Sequence, residues 1–208
     1  MIIFDLDGTL WETIEATYIA ANIIVEKHKE LKKISKETII KGMGLSSLEN
    51  ASNYIPYIPA EIGIKYMKEI SETTSEIINE KNVCIYSGVE ETIKKLSKDY
   101  KLGIITNNRD EYAETFLRIS NLEKYFTDYM GAASYDITKG EAIKKMVEKY
   151  QEKENYYVGD IKKDHEATVY AGIEFIHAKY GFEPNLDSKL SIKNIKELPD
   201  LLKKESNK

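Results

Sequence analysis

The sequence predicts an α/β protein in which a block of helices is inserted into a domain built on a parallel β-sheet. From about residue 83 onward, short apolar runs alternate with helical segments, a pattern typical of strand–helix–strand units and a parallel sheet. Another apolar run stands at the N-terminus, and the stretch between the two regions is helical with no convincing strand. We therefore predict a core domain of residues 1–12 and 83–208 and a separate helical domain of residues 13–82.

The first predicted strand, residues 2–4, is apolar at every position, as in a strand buried on both faces of a parallel sheet. Asp5 and Asp7 follow it directly, and in open α/β sheets the chemistry lies just beyond the carboxyl ends of the strands. Two carboxylates this close repel each other unless a cation or a shared proton compensates them. A solvated turn would explain Asp7 and Gly8, but it leaves Asp5 at the end of an apolar run unexplained.

The inserted block is predicted from its helical periodicity. Apolar residues recur at helical spacing in residues 14–25 and again in residues 62–78, which indicates amphipathic helices. Ser35 stands at a further helix start, since serine is a preferred N-cap. Two glycines within residues 41–47 predict a loop or sharp turn.

The rest of the chain continues the alternation of strands and helices. Its strands are short apolar runs, and its helices carry apolar residues three and four positions apart. We predict strands at residues 102–105, 129–132, 156–158 and 174–178, and helices at residues 88–99, 109–120, 139–150, 164–171 and 195–204.

Composition narrows the class of protein. A net charge of −5 argues against a nucleic-acid binder that relies on a general basic field. The single cysteine, Cys84, lies in an apolar stretch and is expected to be an inert, packed thiol, and the 3 histidines have no metal-ligand spacing. We see no signal peptide and no apolar run of membrane-spanning length, so we expect a soluble, cytoplasmic protein.

Polar side chains recur where the predicted strands end. Thr106 and Asn107 follow the strand at residues 102–105, and Asp160 follows the strand at residues 156–158. Because the carboxyl ends of parallel strands meet at one edge of a sheet, we expect these groups to converge with Asp5.

Clustered carboxylates without histidine or cysteine partners favour a hard cation with oxygen ligands, and Mg²⁺ is the default choice. Mg²⁺ prefers to share its site with phosphate oxygens, and Lys139 and the amides after Thr106 would meet the remaining phosphate charge. An aspartate can act as the nucleophile of phosphoryl transfer, and a second carboxyl group can transfer the protons.

Four segments occur in one order along the chain: Asp5-Leu6-Asp7-Gly8-Thr9, an apolar strand ending in Thr106, then Lys139, and then a segment from Gly159 to Asp164. This order resembles the four motifs of the haloacid dehalogenase superfamily of hydrolases over essentially the whole chain. The position of the helical block resembles the phosphoglycolate phosphatase branch, which inserts a helical cap between its first two motifs. The resemblance implies a Rossmann-like parallel sheet core with an inserted α-helical cap.

The resemblance also implies a nucleophile and a metal site. Asp5 would be the nucleophile and a Mg²⁺ ligand. Asp7 would be the general acid and base, and its backbone carbonyl would also bind Mg²⁺. Asp160 would bind the metal, and Asp164 would bind it directly or through water.

The phosphate-binding residues implied by the resemblance are Thr106, the amide of Asn107, and Lys139, which would also steady the nucleophile. Lys139 is followed by glycine where many relatives carry proline. This departure leaves Lys144 and Lys145 as alternatives for the same role.

Residues that select the substrate are predicted from position alone. In relatives a loop of the cap reaches over the site, and residues 41–47 are the candidate loop, with Lys41 and Gly42 the named residues. Lys41 could meet a second anionic group, or it could be a solvated lysine. Trp11 follows the first motif and is interpreted as a wall of the pocket or as a buried anchor, with the pocket favoured.

These observations predict a Mg²⁺-dependent phosphatase of a small phosphorylated metabolite, such as phosphoglycolate, a sugar phosphate or a nucleotide. Membrane and nucleic-acid partners are not expected, and the oligomeric state is left open. A phosphomutase of the β-phosphoglucomutase type would share every core residue and would differ in yielding an isomer. A haloacid dehalogenase would not need Asp7 or Asp160, and a non-catalytic phosphate-binding module would not need Asp5.

Overall fold

The computed structural model describes residues 1–206 of the chain. It divides into two compact units, one formed by Met1–Glu12 with the chain from Ile85 onward and the other by Thr13–Cys84. Sequence analysis sets these boundaries after residues 12 and 82, and residues 207 and 208 of the predicted core domain lie outside the described residues.

The predicted α/β class and parallel sheet are confirmed. A six-stranded sheet has the order β5-β4-β1-β6-β7-β8, and each of its neighbouring pairs is parallel. A second sheet joins β2 and β3. The strands are β1 (Ile2–Phe4), β2 (Trp11–Glu12), β3 (Cys84–Ile85), β4 (Leu102–Thr106), β5 (Asp128–Gly131), β6 (Tyr156–Gly159), β7 (Glu174–Ala178) and β8 (Leu190–Ile192).

The described helices fall into two sets. The smaller unit contains α1 (Ile14–Lys27), α2 (Lys36–Gly42), α3 (Ser47–Tyr54) and α4 (Ala60–Ile77). The larger unit contains α5 (Val89–Leu96), α6 (Asp110–Ser120), α7 (Lys139–Tyr150), α8 (Lys162–Ala171) and α9 (Leu198–Glu205), with short 3-10 turns at Glu123–Tyr125, Ala132–Ser134 and Ile195–Glu197. No helix in residues 1–206 combines the length and the apolar character needed to cross a membrane.

Strand β1 is the centre of the large sheet. Its residue Ile3 is in register with Gly103 of β4 on one side and with Tyr157 of β6 on the other. The chain builds β4 and β5 on one side of β1 and then crosses to the opposite side to build β6, β7 and β8. The direction of winding therefore changes at β1, and such a switch point opens a crevice at the carboxyl ends of the strands.

Tight packing holds β4 against α7 under this crevice. A β-carbon on Gly103 would lie 2.5 Å from Sδ of Met146, so the close approach of strand and helix requires glycine. Ile3, Ile105 and Ile143 belong to the same buried cluster. The residues at the carboxyl ends of β1 and β4 are therefore supported by a closely packed core.

Several features differ from the sequence predictions. Strands β2, β3 and β8 are not predicted: β2 and β3 have only two residues each, and β8 alternates apolar and polar residues after a polar segment. The prediction that Cys84 is a packed thiol is wrong, since Cys84 is exposed. It lies in a strand of two residues, and alternate side chains of a strand point to opposite faces.

Candidate active site

Asp5 is the first residue beyond β1. Its backbone N–H donates to the carbonyl of Val158 at 2.9 Å, which continues the ladder between β1 and β6 by one residue. Its side chain is buried, and Oδ1 accepts a hydrogen bond from Nζ of Lys139 at 3.0 Å. Oδ2 is also buried and accepts no hydrogen bond from a described residue. One oxygen of the predicted nucleophile is thus held by Lys139, while the other is buried without a hydrogen-bond donor among the described residues.

Lys139 is the first residue of α7, and its ammonium group lies between two carboxylates. Nζ donates to Oδ1 of Asp5 at 3.0 Å and to Oδ1 of Asp164 at 2.7 Å. The helix begins here because Thr138 and Glu141 form a capping box. Lys139 is 6% exposed.

Two other lysines of α7, Lys144 and Lys145, are the predicted alternatives to Lys139. Both are exposed. The structure therefore brings Lys139, and neither alternative, to the carboxylates.

Asp164 organises the start of α8. Its Oδ2 accepts the backbone N–H groups of Asp160 at 3.0 Å and Ile161 at 3.2 Å, while its Oδ1 accepts Lys139. A carboxylate in the first turn of a helix satisfies donors that have no partner within the helix. Gly159 lets this carboxylate approach, since a β-carbon there would lie 2.6 Å from Cβ of Asp164.

Asp160 is completely buried and is surrounded by two loops. Oδ2 accepts the backbone N–H of Phe182 at 2.6 Å, and the hydroxyl of Thr9 lies 3.4 Å from Oδ1. A β-carbon on Gly8 would lie 2.1 Å from Oδ2, and one on Gly181 would lie 2.3 Å from Cβ of Asp160. The contribution of residues 180–182 is not predicted from the sequence, although their position just after a strand is a usable signal.

Asp5, Asp160 and Asp164 form a buried acidic triad. Each offers one oxygen, and the three oxygens lie within 4.8 Å of one another. The pKa of Asp5 is raised to about 7: burial is the largest cause, Lys139 opposes the rise, and Asp164 and Asp7 add to it. Burial also raises the pKa of Asp160 well above its usual value, with Asp164 and Asp5 adding to the effect.

The cluster holds three carboxyl groups and one lysine, and the lysine pairs with only two of them, Asp5 and Asp164. Burial by itself would lower the pKa of Lys139, but Asp164 and Asp5 outweigh burial and raise it, so the lysine stays charged. A hard divalent cation with oxygen ligands would relieve the repulsion that raises the pKa values of Asp5 and Asp160, and it fits the unpartnered Oδ2 of Asp5.

Asp7 is held by a residue that sequence analysis missed. The hydroxyl of Tyr112, on α6, donates to Oδ1 of Asp7 at 2.8 Å, and both side chains are buried. Trp11 packs edge-to-face on Tyr112, with ring centroids 5.2 Å apart, and on Phe116 at 5.3 Å. Trp11 has no exposed surface. The interpretation of Trp11 as a pocket wall is therefore not supported. Trp11 is a buried anchor, because it packs on Tyr112 and Phe116 and has no surface left to line a pocket.

Thr106 ends β4 at the same edge of the sheet as Asp5. It is buried, and its Oγ1 accepts the backbone N–H of Asn108 at 3.2 Å, which shapes the turn into α6. Asn107 lies in this turn and is partly exposed. The binding of phosphate by Thr106 and by the amide of Asn107 stays a prediction.

Lys41 and Gly42 belong to the smaller unit. The predicted loop at residues 41–47 begins later than expected, because both residues are the last of α2. A β-carbon on Gly42 would lie 2.2 Å from Oδ1 of Asn50 and 2.4 Å from Cε1 of Tyr54, so this glycine permits contact between α2 and α3. Lys41 is exposed, and its role in selecting substrate stays a prediction.

Comparison with known proteins agrees with the predicted family. The family model for haloacid dehalogenase-like hydrolases matches residues 2–178. A phosphoglycolate phosphatase of Synechococcus elongatus is 25% identical over 87% of this chain and 84% of its own length. The pyrophosphatase PpaX of Listeria innocua is 28% identical over 62% of this chain and 58% of its own.

The solved structures agree in fold. A haloacid dehalogenase-like family protein of Streptococcus pneumoniae superposes with a TM-score of 0.82 at 16% identity, covering 97% of each chain. The predicted membership is thereby confirmed, and the relative from Synechococcus elongatus agrees with the predicted branch.

Proposed function

This chain belongs to the haloacid dehalogenase-like hydrolases, and we propose that it is a Mg²⁺-dependent phosphatase of a small phosphate monoester that works through a phosphorylated Asp5. The observation that carries the proposal is the buried triad of Asp5, Asp160 and Asp164, in which Lys139 bridges Asp5 and Asp164. Phosphoryl transfer asks a protein mainly for positioning and for charge neutralisation, and this cluster can supply both.

The metal would be held by Asp5, Asp160 and the backbone carbonyl of Asp7. Asp164 already accepts three hydrogen bonds from protein donors, which favours a contact through water for this residue. When bound, Mg²⁺ supplies positive charge to the phosphate oxygens and to the nucleophile.

In the first half of the reaction, Asp5 attacks phosphorus with an oxygen of its carboxylate. A bond forms between this oxygen and phosphorus while the ester bond breaks, and Asp7 gives its proton to the departing alkoxide. Thr106, the Asn107 amide and Lys139 hold the transferring group. Lys139 also favours the ionised form of Asp5, since an adjacent cation lowers the pKa of a carboxyl group.

In the second half, water attacks the phosphorylated Asp5. Asp7 takes the proton from water, the new oxygen–phosphorus bond forms, and the bond to Asp5 breaks to release phosphate. The nucleophile and the acid are thereby restored. Five side chains of the proposed site are buried, which keeps bulk water away from the reacting groups. They are Asp5, Asp7, Thr106, Lys139 and Asp160.

The assay is phosphate release from a panel of esters with MgCl₂ and then with excess EDTA. The panel contains 2-phosphoglycolate, pyrophosphate, sugar phosphates and nucleoside monophosphates. Release that requires Mg²⁺ is the expected result, and acid-quenched protein should carry one labile phosphate on Asp5. An isomerised sugar phosphate without free phosphate would show that the protein is a phosphomutase and refute the proposed phosphatase. Phosphate release that is unaffected by EDTA would refute the metal requirement.

A further inference from the structure

Tyr112 contacts the candidate site from outside the four motifs. Its hydroxyl lies 2.8 Å from Oδ1 of Asp7, a residue 105 positions earlier in the chain. Tyr112 is 3% exposed and Asp7 is 5% exposed, so the bond is shielded from water. A hydrogen bond to a carboxylate in such a setting is directional and strong enough to select one side-chain orientation.

The packing around the ring fixes where this hydroxyl can be. Trp11 contacts both Tyr112 and Phe116 edge-to-face, and Phe116 lies one turn further along α6. The backbone carbonyl of Trp11 accepts the N–H of Gly8 at 2.9 Å, which joins this aromatic cluster to the turn that carries Asp7. The helix after the phosphate-binding loop and the turn after β1 are thus held in one arrangement.

We propose that Tyr112 is a positioning residue that holds the Asp7 carboxyl group in the orientation from which it transfers protons. The inference rests on the proposed function, and it assigns Tyr112 no contact with substrate. Because Oδ1 accepts the bond from Tyr112, the proton of neutral Asp7 is directed to Oδ2. That proton moves to the ester oxygen as the ester bond breaks. In the second step the attacking water gives a proton to Asp7, and the hydroxyl of Tyr112 keeps its proton throughout.

This role has a consequence that a purely structural role does not have. An alkoxide leaving group needs the proton of Asp7, whereas a nitrophenolate leaves without one. Replacing Tyr112 by Phe should therefore slow cleavage of an alkyl ester by about 10-fold or more, given that a positioned acid contributes about 10²–10⁴-fold. Cleavage of 4-nitrophenyl phosphate should change by less than about 3-fold, because its first step does not depend on the acid.

The experiment measures leaving-group release in a single turnover by rapid quench, with enzyme in excess and Mg²⁺ present. The two substrates are 4-nitrophenyl phosphate and the alkyl phosphate that the wild type hydrolyses fastest. Tyr129→Phe is the matched control, because the hydroxyl of Tyr129 also donates to a carboxylate, Glu114 on α6, at 2.8 Å. Thermal melting of each variant reports on the fold.

The expected result is a loss confined to the alkyl ester in Tyr112→Phe and to neither ester in Tyr129→Phe. In an Asp7→Asn background, Tyr112→Phe should cause no further loss, since residues that act through one another are not additive. Equal losses for both esters, or no loss for either, would overturn the role of Tyr112. A wild type that releases neither leaving group would instead refute the proposed phosphatase, and with it this inference.

Discussion

At the scale of single residues, the site is defined by the environment of its carboxyl groups. Asp5 combines one oxygen bound to Lys139 with a second, buried oxygen that accepts no hydrogen bond from a described residue. Asp160 has the opposite character, since backbone and hydroxyl donors surround it. This difference agrees with the proposed roles, in which Asp5 attacks phosphorus and Asp160 binds the metal.

Replacing Asp5 by Asn should lower turnover by at least about 10³-fold, because an amide cannot accept the phosphoryl group. The variant should melt at or above the temperature of the wild type, since it removes a charge whose burial is costly. Phosphate release and circular dichroism melting measure the two effects. Asp99→Asn, at an exposed position, should change neither, and an Asp5→Asn variant with full activity would refute the proposed nucleophile.

Replacing Gly181 by Ala should weaken Mg²⁺ binding by about 10–100-fold, because the new methyl group displaces the Asp160 side chain. Isothermal titration with MgCl₂ measures this directly. Gly172→Ala is the matched control: Gly172 has a φ of +71° and open space around it, so the variant should lose stability and keep its metal affinity. Unchanged affinity in Gly181→Ala would mean that Asp160 is not fixed by this loop.

At the scale of elements, helix α7 delivers one residue to the site. Its capping box sets where the helix begins, and that start places Lys139 between the end of β1 and the first turn of α8. Among the described residues, Lys139 thus links these two elements through its ion pairs with Asp5 and Asp164.

Lys139→Met should destabilise the protein by about 3 kcal/mol or more, because it leaves buried carboxylates without their cation. Activity should fall with it, and added Mg²⁺ should restore part of the stability but not the activity. Lys144→Met, at an exposed position of the same helix, should change unfolding free energy by less than about 0.5 kcal/mol. Urea unfolding monitored by fluorescence measures the unfolding free energy of each variant. Loss of activity in Lys144→Met but not in Lys139→Met would assign the proposed role of Lys139 to Lys144.

At the scale of the whole molecule, the site exists only when distant parts of the chain are assembled. The bond between Lys139 and Asp5 spans 134 positions, and the contact between Thr9 and Asp160 spans 151. A ligand that needs all three carboxylates therefore binds the folded state and not the unfolded chain. Such a ligand stabilises the fold by mass action.

Magnesium should raise the melting temperature, and by more at about pH 8 than at about pH 6. Because the folded-state pKa of Asp5 is raised to about 7, its contribution to stability is present at low pH and is lost as the pH rises through that value. The metal-free protein is then weakened at the higher pH, where the ionised carboxylates also bind the cation better.

At about 100 times its dissociation constant, the metal should add about 2.7 kcal/mol, or about 5–10 °C. Scanning fluorimetry with MgCl₂ or EDTA at the two pH values measures the difference. Asp160→Asn should remove most of the shift. A shift that is larger at the lower pH would contradict the assignment of these carboxylates to the metal.

The sequence by itself determined which segments of the chain carry the candidate site. Uninterrupted apolar runs predict β1, β4 and β6, and parallel strands bring their carboxyl ends to one edge. Asp5, Thr106 and Asp160 could therefore be predicted as neighbours, because each stands directly after such a run.

Only the tertiary structure decided which side chains meet. The order of the strands brings Lys139 to the carboxylates, the loop after β7 to Asp160, and α6 to the turn after β1. The contact of Tyr112 with Asp7 and the burial of Trp11 follow from that arrangement. Local patterns record which faces are apolar, but contacts between residues more than 100 positions apart depend on how the elements cross over and pack.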